Sequence, residues 1–195
     1  DMWIHEGFGT YMQALYIEDR QGIGRYHDYM RSFSHRIGNR KPVAPRETTS
    51  AQEIYDGHDI YFKGAWVLHT LRYLIGEDAL MLALRRMAYP TPEAWRASDG
   101  SQVRFADTDE FVSIVEEVSG EELGWFFDVY VHEAELPALE LTRAEGELRM
   151  EWSAPADLAF PMPVDVRIDG ETRRVEMADG KAVVQVPAGS DVVVD

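Results

Sequence analysis

The spacing of apolar residues changes near Pro137, and this change constrains the fold more than any other feature of the sequence. Before Pro137, apolar residues recur at every third or fourth position, as on the buried face of an α-helix. After Pro137 the period drops to two, which is typical of half-buried strands. The 195 residues therefore predict an α+β chain with a helical part, 1–136, and a β part, 137–195. Such a chain is long enough to bury a core.

Six helices are predicted in the helical part from apolar spacing and capping signals. They cover residues 2–17, 25–37, 60–75, 77–88, 108–118 and 121–132. Asp107 or Thr108 is suited to begin a helix, and Gly120 to end one. Residues 38–58 contain two prolines and a run of Thr and Ser, which predicts a long irregular loop on the surface.

Six short strands are predicted after Pro137, each with an alternating pattern. Their sequences are LELTR, ELRMEW, PVDVRI, TRRVEM, AVVQV and DVVV. Glu145-Gly146, Asp169-Gly170 and Asp179-Gly180 lie between strands, where hairpin turns favour residues with a positive φ. The pattern predicts an antiparallel meander that forms a small β-sandwich.

Composition excludes several classes of function. The chain has 19 basic and 35 acidic residues and a net charge of −16, and a surface this acidic repels nucleic-acid phosphates and anionic lipids. Nucleic acid is therefore excluded as a partner. The chain has no cysteine, so thiolate zinc ligands and a cysteine nucleophile are also excluded, while the cellular location stays undetermined. No apolar run approaches the roughly 20 residues of a membrane-spanning helix.

Two residues are candidates for chemistry on their local context alone. Glu6 lies between aromatic residues in the first turns of a helix, where a carboxylate near the apolar face needs a cation. A solvated glutamate favoured by the helix dipole is the more common alternative. Tyr61 begins a buried helix and could direct its hydroxyl at a developing oxyanion, although tyrosines that only pack a ring are more frequent. No two of the six histidines are three or four residues apart, so H-E-x-x-H is absent.

The segment DMWIHEGFGTY at residues 1–11 resembles the W-L-N-E-G-F-A-x-Y segment of the aminopeptidase N family of gluzincin zinc metallopeptidases. YFKGA at 61–65 resembles the Y-E-K-G-A segment of that family. Residues 109–111 and 119–128 are similar to its closing helices, and 136–139 to its entry into a β module. The resemblance spans nearly the whole chain in order. It implies the helical C-terminal half of a thermolysin-like catalytic domain, followed by a small antiparallel β-sandwich.

The resemblance also implies roles for individual residues. Glu6 matches the third zinc ligand of a His, His, Glu site, and Tyr61 matches the catalytic tyrosine that donates to the oxyanion. His5 stands where the family usually has Asn and is expected to support Glu6 as a hydrogen-bonding partner. Gly9 replaces an Ala and Phe62 replaces a Glu. Zinc is the implied cofactor, and peptides are the implied substrates.

Other parts of the family's machinery have no match in these residues. They are the two zinc histidines, the general base of H-E-x-x-H, and the G-x-M-E-N segment that binds the amino terminus of a substrate. We expect them upstream of Asp1, which predicts an inactive fragment of an aminopeptidase that holds no stoichiometric zinc by itself. Self-association through exposed helix faces is expected. The alternative is a non-catalytic binding or scaffolding protein with the same architecture.

Overall fold

The computed structural model describes residues 1–47 and 50–194 of the chain. The chain divides into two compact units, Asp1–Ala134 and Glu135–Asp195. The first unit is helical and the second contains two antiparallel sheets, so the predicted α+β class is confirmed. Within the described residues, no helix combines the length and the apolar character that crossing a membrane requires.

The helical unit contains eight α-helices in the described residues. They are α1 (Trp3–Gln21), α2 (Ile23–Arg31), α3 (Ala51–Ile54), α4 (Asp59–Ile75), α5 (Glu77–Ala88), α6 (Pro92–Arg96), α7 (Thr108–Ser119) and α8 (Gly124–Tyr130). Helix α5 has the predicted bounds. Helix α7 begins after Asp107, whose side chain accepts a hydrogen bond from the Glu110 amide at 2.9 Å. It ends at Gly120, which has a φ of +74°.

Several details of the helical prediction are wrong, and the helix predicted at 2–17 continues to Gln21. The helix predicted at 25–37 ends at Arg31 and is followed by a short 3₁₀ turn, Ser34–Arg36. The predicted loop contains α3, which begins with a capping box formed by Ser50 and Glu53. Helix α6 was not predicted, because the prolines were interpreted only as breakers, whereas Pro is favoured in the first turn of a helix. Helix α8 begins at Gly124 rather than at the two preceding glutamates. The part of the predicted loop at 48–49 lies outside the described residues.

Helices α1 and α4 cross at two glycines. A Cβ atom added to Gly7 would lie 3.0 Å from the Gly64 Cα and 3.1 Å from the Ile60 carbonyl oxygen. Both neighbours are backbone atoms, which cannot move aside as a flexible side chain can. Trp3, on the same helix, is fully buried and donates from its indole nitrogen to the Thr108 hydroxyl at 3.0 Å. The crossing of α1 and α4 therefore leaves little room for a side chain at Gly7 or Gly64.

A chain of hydrogen bonds joins α1, α2 and α4 further along. The hydroxyls of Tyr11 and Tyr26 are 3.3 Å apart, and the Tyr26 hydroxyl is 2.6 Å from Nδ1 of His69. Nearby, Arg72 on α4 forms two hydrogen bonds to the Glu18 carboxylate of α1, at 2.6 and 3.0 Å. Burial, followed by the charges of His27 and Arg72, lowers the pKa of His69 to about 4. The imidazole is therefore neutral at neutral pH.

The second unit is a small β-sandwich. Its strands are β1 (Ala138–Ala144), β2 (Glu147–Ser153), β3 (Val164–Ile168), β4 (Glu171–Val175), β5 (Lys181–Gln185) and β6 (Val192–Val194). One sheet has the order β1-β2-β5 and the other β4-β3-β6, with every pair antiparallel. Their inner faces share a core of Leu148, Met150, Val164, Val166, Met177, Val184 and Val186. All six predicted strands are confirmed.

The predicted meander is wrong. Asp169-Gly170, with φ values of +50° and +90°, forms the expected hairpin between β3 and β4. Asp179-Gly180 also turns the chain, but β4 and β5 lie in different sheets and β5 pairs with β2. Local turn residues therefore predict where the chain reverses direction. Which strands pair depends instead on burying the apolar inner face of each of the two sheets.

We expect Gly64→Ala to lower the free energy of unfolding by about 1–3 kcal/mol, because its methyl group would overpack the α1/α4 crossing. Chemical denaturation measures the change. Gly9→Ala is the matched control, since Gly9 is exposed on α1 and a Cβ there meets nothing within 4 Å. That variant should gain roughly 0.5–1 kcal/mol. Equal effects of the two substitutions would contradict the close crossing.

We expect the chain to lose stability as the pH falls from 6.5 to 4, partly through His69. In this window the unfolded chain takes up a proton at His69, whereas the folded chain, with a pKa of about 4, does not, so protonation favours unfolding. His69→Gln should remove roughly 2–3 kcal/mol of this pH dependence, measured by urea unfolding across the window. The exposed His35, changed to Gln, is the control. Identical pH profiles for wild type and His69→Gln would rule out this contribution.

Candidate active site

Glu6 and Tyr61 lie together where α1 and α4 begin. Glu6 directly precedes Gly7 on α1, and Tyr61 lies one turn before Gly64 on α4. Because these two glycines are in contact, the helix crossing brings both side chains to the same place. The Glu6 side chain is 22% exposed, so its carboxylate is partly shielded from solvent.

The Tyr61 hydroxyl lies close enough to the Glu6 carboxylate for the carboxylate to affect its pKa. Partial burial raises the pKa of Tyr61, and the negative charge of Glu6, a hydrogen bond to Glu6 and the neighbouring Tyr55 raise it further. A phenol beside a carboxylate keeps its proton, because ionisation would place two negative charges together. Tyr61 is therefore held as a hydrogen-bond donor at neutral pH.

Tyr55 is a third member of this group, and the sequence reasoning missed it. Its hydroxyl donates to Oε1 of Glu6 at 3.4 Å, across 49 residues of sequence. Tyr55 follows α3 directly, so the capping box that begins α3 also determines where this tyrosine lies. The S-x-x-E pattern of Ser50 and Glu53 was the sequence signal for α3. No local pattern in the sequence pairs Tyr55 with Glu6.

His5 is adjacent to Glu6 but largely faces solvent. Its Nδ1 atom is 3.6 Å from Oε1 of Glu6, and its side chain is 80% exposed. A contact of this length and exposure is weak. Phe62, which replaces the family's Glu, lies 4.9 Å from the Phe33 ring, with the Arg36 guanidinium 4.1 Å above it. An aromatic and cation–π contact therefore takes the place of a carboxylate after Tyr61.

Of the zinc ligands that the family resemblance predicts, the described residues contain only Glu6. Among residues 1–47 and 50–194, no three His, Asp or Glu side chains gather at a point that could hold a metal ion. The Glu6 carboxylate suits one position of a His, His, Glu site, but the donors described here do not form a complete zinc site.

An open cleft of about 910 Å³ lies next to this group. His58–Ile60, just before Tyr61, line part of it, and the rest is formed by residues of the 35–47 and 53–57 segments. Glu6 and Tyr61 do not belong to its lining. This cleft therefore reaches the start of α4, while Glu6 and Tyr61 are positioned by the helix crossing and Tyr55 by α3.

No protein-family model and no curated protein matches this chain. Aminopeptidase A of Legionella pneumophila, solved in complex with aspartic acid, matches 98% of this chain with a TM-score of 0.66 and 14% identity. An M1 zinc metallopeptidase of Deinococcus radiodurans, solved with a Tyr-Ser-Ala substrate, matches 71% with a TM-score of 0.52 and 26% identity. The chain spans 23% of the first protein and 29% of the second. Its fold is therefore shared with part of these peptidases.

We expect Glu6→Gln to lower the pKa of Tyr61 toward the ordinary value of a tyrosine, because the substitution removes the adjacent negative charge. The Cζ chemical shift of labelled tyrosines, followed by NMR against pH, measures this change. His5→Gln is the control and should leave the titration unchanged, since His5 is exposed. A Tyr61 pKa that is the same in Glu6→Gln and wild type would show that the two groups do not interact.

Proposed function

We propose that this chain is part of a zinc-dependent aminopeptidase that removes residues from the amino termini of peptides. In this proposal Glu6 is the third zinc ligand and Tyr61 is the catalytic tyrosine. The juxtaposition of the Glu6 carboxylate and the Tyr61 phenol is the observation that carries it. The fold shared with two peptidases, one of them solved with a peptide substrate, supports it. Residues 1–136 then form the helical part of the catalytic domain, and 137–195 a β-sandwich domain.

Tyr61 would act as a hydrogen-bond donor. Attack on a peptide carbonyl places negative charge on the former carbonyl oxygen, and a donor aimed at that oxygen stabilises the transition state. Such a donor must keep its proton at working pH, and the raised pKa of Tyr61 meets this requirement. Tyr55 would support Glu6 through its hydroxyl, and His5 would be a second, weaker partner of the same carboxylate.

The proposed enzyme needs groups that the described residues do not contain. Two histidines and a general base must join Glu6 to complete a site of the His, His, Glu type. We therefore expect the 195-residue chain alone to hydrolyse no aminoacyl substrate and to retain no zinc at Glu6. A chromogenic aminoacyl assay with metal analysis tests both points, and turnover with zinc bound at Glu6 would contradict the proposed division of the site.

The gene sequence upstream of Asp1 separates this proposal from its alternative. An H-E-x-x-H motif at the family's spacing before Glu6 would support the peptidase. A reading frame that begins near Asp1 would favour a non-catalytic binding or scaffolding protein with the same fold.

In the complete enzyme, we expect Tyr61→Phe to lower kcat by about 100-fold or more, because the oxyanion loses a donor. KM should change little, since the phenyl ring is retained. Steady-state kinetics on a short peptide measures both constants. Tyr16→Phe is the control, because Tyr16 lies on α1 and is 62% exposed. An unchanged kcat in Tyr61→Phe would remove Tyr61 from the mechanism.

A further inference from the structure

A second opening lies on the surface of the helical unit, between α2 and α4. It has a volume of about 540 Å³ and is lined by two imidazoles, His27 of α2 and His69 of α4, together with Tyr26 and Trp66. The ring centroids of His27 and His69 are 6.3 Å apart, and the angle between the two ring planes is 71°. His27 is exposed and His69 is half-buried. Neither histidine has a role in the peptidase mechanism proposed above.

Tyr26 contacts one ring nitrogen of His69 and leaves the other for a ligand. The Tyr26 hydroxyl is 2.6 Å from Nδ1 of His69 and 3.3 Å from the Tyr11 hydroxyl. When a metal ion binds Nε2, the ring proton stays on Nδ1 and the Tyr26 oxygen accepts a hydrogen bond from it. A neutral imidazole with its proton on Nδ1 carries a lone pair on Nε2. Metal-binding histidines are held in this way, with the second ring nitrogen fixed by a hydrogen bond.

The separation of the two rings puts both within reach of a shared metal ion. Half of the 6.3 Å centroid distance is close to a metal–nitrogen bond of about 2.1 Å plus the radius of an imidazole ring, which describes an ion on the line between the two rings. Tetrahedral geometry needs a shorter centroid distance, and the exposed His27 ring has room to turn and move toward His69. Burial keeps His69 neutral, with a pKa of about 4, so no proton has to be displaced at pH 7.

The charges that surround the pair are balanced. Arg72 also lines this opening, and an unpaired guanidinium would repel a metal ion. However, Arg72 is bound by two carboxylates, with Glu18 at 2.6 Å and Glu77 at 2.6 Å. The described residues hold no group of three ligand side chains, so water molecules would complete the coordination of an ion at the two imidazoles.

We propose that His27 and His69 form a binding site for a divalent transition-metal ion, separate from the zinc site of the proposed peptidase. Neutral imidazole is a preferred ligand of Zn²⁺, Cu²⁺ and Ni²⁺. The ion would join α2 to α4 at the opening, with Tyr26 holding His69 in the binding tautomer.

Titration of Zn²⁺ into the 195-residue chain at pH 7, followed by calorimetry, tests this site. We expect one ion to bind at the imidazole pair, so that the expected lack of stoichiometric zinc in this chain applies to Glu6 alone. His27→Gln and His69→Gln should each weaken binding by tenfold or more. Tyr26→Phe should weaken it by about tenfold, because it removes the hydrogen bond that orients His69. His35→Gln is the matched control, since His35 is exposed and does not line this opening.

One further variant and a check of folding make the outcome decisive. Glu6→Gln should leave the affinity for Zn²⁺ unchanged, which separates this site from the one proposed for catalysis. His27 is exposed, so His27→Gln removes a ligand without disturbing the core, and circular dichroism verifies its fold. The proposal is overturned if no ion binds, if His27→Gln binds Zn²⁺ as tightly as wild type, or if Glu6→Gln removes the binding.

Discussion

The close approach of α1 and α4 at Gly7 and Gly64 is the constraint on which the helical unit depends. Helix axes can come this near only where neither residue carries a Cβ, and any side chain at either position meets backbone. The approach has a chemical consequence, because Glu6 and Tyr61 lie within one turn of the two glycines. The same contact that packs the core therefore places a carboxylate beside a phenol.

Much of the fold could be predicted from sequence wherever local signals decide it. Helix α7 is bounded by an Asp cap and by Gly120, both of which act within one turn. All six strands follow from alternation, which requires only that one face be buried. Strand order could not be predicted in this way, because β5 pairs with β2 across the intervening hairpin of the other sheet. That pairing buries a core shared by both sheets, and no single segment of the sequence indicates it.

The candidate site was less accessible to sequence reasoning than the fold. Local context favoured a solvated glutamate at position 6 and a packing tyrosine at 61, and only the family resemblance paired them. The structure brings them together through a contact between residues 57 positions apart, Gly7 and Gly64. Tyr55 was missed for the same physical reason, since its hydrogen bond to Glu6 depends on how α3 is placed rather than on spacing.

Helix α4 carries residues of both proposed sites, and their separation makes them independent. Tyr61 is in its first turn and His69 lies two turns further on, about 12 Å along the axis at 1.5 Å per residue. Effects of substitutions at this distance usually add, provided that the residues share no partner. The two sites do have different partners, since Tyr61 interacts with Glu6 and Tyr55, whereas His69 interacts with Tyr26 and His27. Helix α4 can therefore contribute Tyr61 to the acid–phenol group at its start and His69 to the imidazole pair further along, without either group setting the protonation of the other.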